Sequence, residues 1–233
     1  MRSMFEPNDA LQARVEKIGN ERAPVLVIDN LAADPELLID QAEAAFAASA
    51  RPRDGFPGLT APAPEGFSRS LTGFLLPTLR KVFHLPTKIS SGGCDFQVMS
   101  TPFADLTERQ KIPHIDVPDL NTMASVHFLC GAPFLGTAFY RHKATGFEII
   151  SPDRAALYRG VLAEEIGRSS PSGNVDQDTD CFACVASYPA VFNRAIFFSA
   201  ASLHAGLADG FAPLDPNPRR GRLTLNLFLQ FGA

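Results

Sequence analysis

Residues 222–231, RLTLNLFLQF, alternate without a break: Leu223, Leu225, Leu227, Leu229 and Phe231 fall on one side, and Arg222, Thr224, Asn226, Phe228 and Gln230 on the other. Side chains of an extended chain repeat every two residues, so this segment reads as a strand with one apolar face and one mostly polar face. An antiparallel sheet accommodates the pattern by turning the polar face to water. A small barrel does so by pointing the polar face into a ligand cavity. Either solution needs partner strands. CDFQVMS (94–100), TMASVHFLC (122–130), LGTAFYRH (135–142) and RAIFFS (194–199) supply them, each short, β-branched or aromatic, and bounded by Gly, Pro or Asp. The chain has 19 Phe, 19 Pro, 17 Gly and no Trp, which suits many short elements with frequent breaks better than a helical bundle.

The first third is mixed. VLVIDN (25–30) reads as a short strand, after which Asp34 and Pro35 open a helix. Asp34 can cap the first free N–H groups, and Pro35 stands where a missing donor costs nothing. Leu38, Ala42, Ala45, Phe46 and Ser49 follow at helical spacing. Residues 51–66 (RPRDGFPGLTAPAPEG) carry four prolines and three glycines and read as a loop, and a second helix is expected over 68–83, shortened or kinked by Gly73 and Pro77. Ser151 and Pro152 begin a third helix running to about Ile166, with a polar loop at 167–180 after it. The Gly92–Gly93 pair reads as a turn, since no phosphate-loop frame surrounds it.

The 233 residues imply one domain, with a strand-helix support region over 1–93 and a β core over 94–233. A net charge of −4 with no basic block argues against a nucleic-acid partner. No apolar run reaches the roughly 18 residues a bilayer helix needs, and the N-terminus has no apolar stretch fit for a secretory signal. Four cysteines are too few for a disulfide scaffold of this size, so a cytoplasmic location is expected.

The residues with chemical potential begin with His114-Ile115-Asp116 in KIPHIDVPDL. On an extended segment the His and Asp side chains point the same way and can hold one ion. A second histidine, distant in sequence but adjacent in a barrel, would complete a set that occupies one face of an octahedral iron(II) and leaves the opposite face open. By itself H-x-D also describes a surface turn. The later segment RAIFFSAASLHAG (194–206) reads as strand, turn and a strand-borne histidine, His204, and Arg222 with Thr224 then forms R-x-T.

The order H-x-D, G-T-A-F-Y (136–140), R-A-I-F-F-S…H and R-x-T resembles the iron(II)/2-oxoglutarate-dependent oxygenases across roughly residues 94–233. VLVIDNLAADPELLIDQAEAAF is similar to the strand-helix lead-in of their prolyl-4-hydroxylase-like branch. The resemblance implies a mainly β chain with flanking helices: a double-stranded β-helix (a jelly-roll, cupin-like barrel) with a helical buttress from the N-terminal region. It implies that His114, Asp116 and His204 ligate Fe(II), and that Arg222 pairs with the distal carboxylate of the cosubstrate 2-oxoglutarate. Thr224 would add a hydroxyl donor, and Tyr140 would touch the cosubstrate. The implied reaction is hydroxylation of a small-molecule or peptide substrate with release of succinate and CO2. With a carboxylate at Asp116, no coordination site is left for halide. The 18-residue gap from His204 to Arg222 is longer than the family's usual spacing, and the loop-like DGFAPLDPNPRRG accounts for it as an insertion.

Two other readings keep the same fold: a cupin-like metal protein that does not use 2-oxoglutarate, and a binding module without turnover. His127 reads as a hydrogen-bonded core histidine, and His142 shares a strand face with Tyr140. Cys181-x-x-Cys184 lacks a second pair and a redox context, so packing is its expected role. Substrate specificity is expected in residues 51–67, 101–113 and 143–180. No membrane partner is expected, and a homodimer is left open.

Overall fold

The computed structural model describes residues 5–53, 55–168, 178–207 and 214–232. Among them are eleven strands, three α-helices and a short 3-10 helix at Phe103–Asp105. The N-terminal elements are β1 (Gln12–Ile18), β2 (Ala23–Asp29), α1 (Pro35–Ser49), β3 (Arg51–Pro52), β4 (Gly58–Pro62) and α2 (Glu65–Phe83). The rest are β5 (Lys88–Met99), β6 (Thr122–Phe128), β7 (Thr137–His142), α3 (Ala155–Arg168), β8 (Phe182–Tyr188), β9 (Arg194–Ser199), β10 (His204–Gly206) and β11 (Arg222–Gly232). Asp34 caps α1 by accepting from the Leu37 N–H at 3.1 Å, with Pro35 at the first helical position.

The strands form two antiparallel sheets. The larger runs β1-β2-β9-β6-β11-β5-β4-β3, and the smaller runs β10-β7-β8. The alternation of β11 explains the layering. Leu223, Leu225, Leu227, Leu229 and Phe231 pack with Leu38, Ile39 and Ala42 of α1 and Phe67, Leu71, Leu75 and Leu79 of α2. Each such buried side chain contributes about 1.5–3 kcal/mol, so this row fixes the helices on the outer face of the large sheet. Between the sheets lie Val25, Val27, Ala124, Phe128, Ile196 and Phe198 from one side and Phe139 and Tyr188 from the other. A third cluster (Ala138, Tyr140, Phe182, Leu203) joins the outer face of the small sheet to Ala155 and Tyr158 of α3. No helix among the described residues is long and apolar enough to cross a membrane.

Several expectations change. Residues 51–66 are not all loop: β3 and β4 extend the large sheet through pairing of Gly58–Pro62 with Asp95–Met99. Gly92 and Gly93 are no turn, because β5 begins at Lys88 and the long partner β11 holds them in mid-strand. The division at residues 93 and 94 therefore falls inside β5, and β1 and β2 join the same sheet as the later strands through β9. α2 runs through Gly73 and Pro77 without interruption and ends at His84 in a left-handed cap. Most of the polar loop expected at 167–180 lies outside the described residues.

Candidate metal centre

His114 sits on a short extended segment that adds to the edge of the small sheet. It bonds with His204 in both directions, His114 N–H to His204 O at 2.9 Å and His204 N–H to His114 O at 2.8 Å. Asp116, two residues on, donates its N–H to Ala200 O at 2.9 Å. His204 is placed by β10, which pairs with β7 so that His204 stands opposite Phe139. The imidazoles of His114 and His204 lie 4.6 Å apart between centroids, and Asp116 Oδ2 is 3.8 Å from His204 Nε2. One donor atom from each of the three residues lies within 4.8 Å of the other two.

The protonation chemistry suits a cation. Loss of solvation pushes the buried His204 down to about 4, while His114, which is partly open to solvent, is lowered by crowding of its ring and then by His204. Both rings are thus neutral near pH 7, the form that ligates. His204 Nδ1 donates to Ser202 O at 2.9 Å, which leaves Nε2 as the free lone pair. Burial raises Asp116, while His114 and then Arg53 pull it back. Its Oδ2 is buried without a hydrogen-bond partner among the described residues. An orphaned carboxylate oxygen is costly, and two neutral imidazoles beside it complete a donor set that fits a first-row divalent metal.

Arg222 enters the same interior from the first position of β11. Nε donates to Leu135 O at 2.8 Å and Nη2 to Gly136 O at 2.7 Å, and the guanidinium carbon lies 5.7 Å from the Phe128 ring centroid. A Cβ built on Gly206, two residues past His204, would lie 3.8 Å from Nη2, so the arginine lies along the His204 strand. The side chain is buried, has no carboxylate in ion-pair reach among the described residues, and burial lowers its pKa. Thr224 is buried on the same face, opposite Gln97.

Tyr140 does not join them. With Phe139 opposite His204, alternation turns Tyr140 to the outer face, where it packs with Ile112, Phe182 and Leu203 beneath α3. The expected cosubstrate contact is thereby corrected. His127 lies on the helix-facing side of β6 beside Met123 and Leu129, with Nε2 3.0 Å from Asn193 Oδ1. His142 is fully buried between Thr145 and Glu165, at 2.9 and 2.7 Å. Cys181 and Cys184 are half-buried, form no disulfide, and pack against the cluster under α3.

Beside Asp116 opens a cleft of about 300 Å³ lined by Ser91, Gly92, Gly93, Val117, Asp119, Thr122, Phe228 and Gln230. Sequence reasoning did not assemble this wall. One signal was present: Phe228 is the single apolar member of the otherwise polar row of β11.

The profile of a family described as "Family of unknown function (DUF6445)" matches residues 9–229. No curated protein matches at a significant level. Among solved structures, the chain is similar to the non-heme alpha ketoglutarate dependent carbocyclase SnoK from nogalamycin biosynthesis, at 11% identity and a TM-score of 0.54, over 91% of this chain and 81% of that one. It is similar to HygX from Streptomyces hygroscopicus with nickel and 2-oxoglutarate bound, at 13% identity and a TM-score of 0.53, over 90% of this chain and 83% of that one. The epimerase SnoN, also alpha ketoglutarate dependent, gives 12% identity and a TM-score of 0.52, over 91% and 79%. At these identities the likeness is one of fold alone, and it lends no support to the prolyl-4-hydroxylase-like branch.

Proposed function

The chain belongs to the DUF6445 family, and we propose that it is an iron(II)- and 2-oxoglutarate-dependent oxygenase that hydroxylates a small-molecule or peptide substrate. The observation that carries this reading is the pairing of a carboxylate between two neutral histidines, orphaned among the described residues, with a buried arginine that has no counter-anion among them. The first arrangement asks for a divalent cation, and the second asks for an anion in the same interior. A metal-chelating acid with a distal carboxylate satisfies both.

The roles follow from the geometry. His114 and His204 would hold iron through their free ring nitrogens, with His204 kept in its tautomer by the Ser202 carbonyl. Asp116 would supply the negative charge. Arg222, fixed by the Leu135 and Gly136 carbonyls, would present its remaining N–H groups to the distal carboxylate, and Thr224 would add a hydroxyl. Phe139 and Phe198, the latter with its ring centroid 4.7 Å from that of His204, screen the ligand from water. The bound iron and cosubstrate supply the oxidising chemistry, and the chain orients and shields them.

The test is anaerobic titration of 2-oxoglutarate into iron-loaded protein, followed by oxygen and a succinate assay. A metal-to-ligand charge-transfer band with succinate release is expected. Iron uptake without the band would favour a cupin-like protein that does not use 2-oxoglutarate, and failure to hold iron would favour a binding module.

A further inference from the structure

Glycine inside a strand weakens it, and where no backbone crowding demands it, it marks close approach of something else. Several glycines at or beside strands have a steric reason. A Cβ at Gly58 would meet Val98 O at 2.1 Å, one at Gly136 would meet Tyr188 O at 1.7 Å, and one at Gly221 would meet Asp215 O at 2.0 Å. Gly92 is constrained too, by Leu229 Cδ2 at 3.0 Å. Gly93 is different. It lies within β5 directly opposite Phe228, its backbone is not left-handed, and a Cβ there would meet nothing within 4 Å. The open space is the cleft beside Asp116.

Apart from Asp116, the polar side chains of that cleft are engaged with one another. Ser91 Oγ donates to Gln230 Oε1 at 3.0 Å, and Thr122 Oγ1 donates to Asp119 Oδ2 at 2.6 Å. Asp119 also accepts from Gln230 and from the Asn121 N–H, and these bonds hold its carboxyl below the usual range despite burial. What remains for a ligand is the part of the Phe228 ring not faced by the Arg53 guanidinium, whose carbon lies 5.8 Å from the ring centroid, with the Val117 side chain and the glycine backbone, next to a candidate metal ligand.

We propose that this cleft receives a compact apolar group of a small-molecule substrate, a single ring or branched aliphatic unit lying on Phe228 in the room left by the missing side chain of Gly93. Gly93 is then a specificity-determining residue, and Val117 lines the same cleft. The volume of about 300 Å³ stands at the small end of ligand sites and admits one such unit. The inference deepens the oxygenase reading by naming the substrate class, and its use as a reaction site rests on that reading.

The test uses fluorobenzene as the probe, followed by 19F NMR on the 233-residue chain, both metal-free and loaded with zinc and 2-oxoglutarate. Saturable binding is expected in the original chain, weakened at least tenfold by Gly93→Leu and a few-fold by Val117→Ser, with metal and 2-oxoglutarate affinities unchanged in both variants. The melting temperature of Gly93→Leu should hold or rise, because a free strand position gains a side chain. Absence of saturable binding, binding unaffected by Gly93→Leu, or a fall of several degrees in its melting temperature overturns the proposal. Fluorobenzene binding blocked by Gly93→Leu in protein that takes up neither metal nor 2-oxoglutarate would keep the apolar cleft and reject the oxygenase reading.

Discussion

His114 and His204 are main-chain partners: each donates its backbone N–H to the other's carbonyl, at 2.9 and 2.8 Å. The spacing of the two imidazoles is therefore set by strand pairing and does not depend on side-chain contacts. Asp116 is anchored separately, by its own N–H on Ala200 O, and its Oδ2 lacks a partner among the described residues. The three residues thus differ in what their removal should do.

Asp116→Ala should separate folding from metal binding. Removing a buried, unsatisfied oxygen relieves about 1 kcal/mol, which for a chain of this length raises the melting temperature by about 2–4 °C. The same variant loses the only anionic ligand, so added Fe(II) or Zn(II) should no longer stabilise it as it does the original chain. Thermal melts with and without metal check both halves. A metal-free protein destabilised by the substitution would mean that Asp116 serves the fold.

Arg222→Ala should act on the cosubstrate and spare the metal. Loss of a charge-assisted bidentate pair is worth about 2–4 kcal/mol, or roughly 30- to 1,000-fold in 2-oxoglutarate affinity. Arg222→Lys should recover little, because an ammonium cannot hold both the Leu135 and Gly136 carbonyls and still present a planar fork. Iron content by metal analysis and 2-oxoglutarate titration by charge-transfer absorbance read the two effects separately.

Gly136→Ala should cost about 3 kcal/mol or more, since the new Cβ would stand 1.7 Å from Tyr188 O and force β7 from β8. The Gly136 carbonyl also positions Arg222, so 2-oxoglutarate affinity should fall with stability. Urea unfolding and the same titration measure the pair of effects. An alanine variant of full stability would mean that the strands relax there without cost.

Much of the site was legible because its signals are local. The period of two in β11 gave the face of Arg222 and Thr224, and one-residue spacing put His114 and Asp116 on the same side. The helix start at Asp34 and Pro35 was legible for the same reason. What escaped depends on partners distant in sequence. The sharing of one strand face by Tyr140 and His142 is legible in the sequence, but only the register of β7 against β10 shows that this face is turned from His204. The strands at 51–52 and 58–62 exist because β5 offers them an edge, against the loop-like composition of their own residues. Gly92 and Gly93 resemble a turn until β11 is laid beside them.

His127 should contribute to acid sensitivity without touching metal binding. Burial lowers its pKa from 6.5 to about 4, partly countered by the bond to Asn193. Its Nδ1 is buried with no partner among the described residues, so a proton there would have no acceptor. The folded-state value lies below the unfolded one, so the unfolded chain takes up the proton first as pH falls. Its stabilising contribution is intact above pH 6.5 and is lost progressively down to about pH 4, with a limiting slope of about 1.4 kcal/mol per pH unit and a total on the order of 3 kcal/mol. His127→Gln keeps a donor toward Asn193 Oδ1 and removes the titration. Urea unfolding at pH 6.5 and 4.5 should show a smaller loss of stability in the variant than in the original chain. Zinc affinity at pH 7.5 should be unchanged, because His127 faces the helices and not His114 or His204. An equal loss in both proteins would place the acid sensitivity elsewhere, and weakened zinc binding would show that the helix-facing side of β6 is coupled to the metal centre.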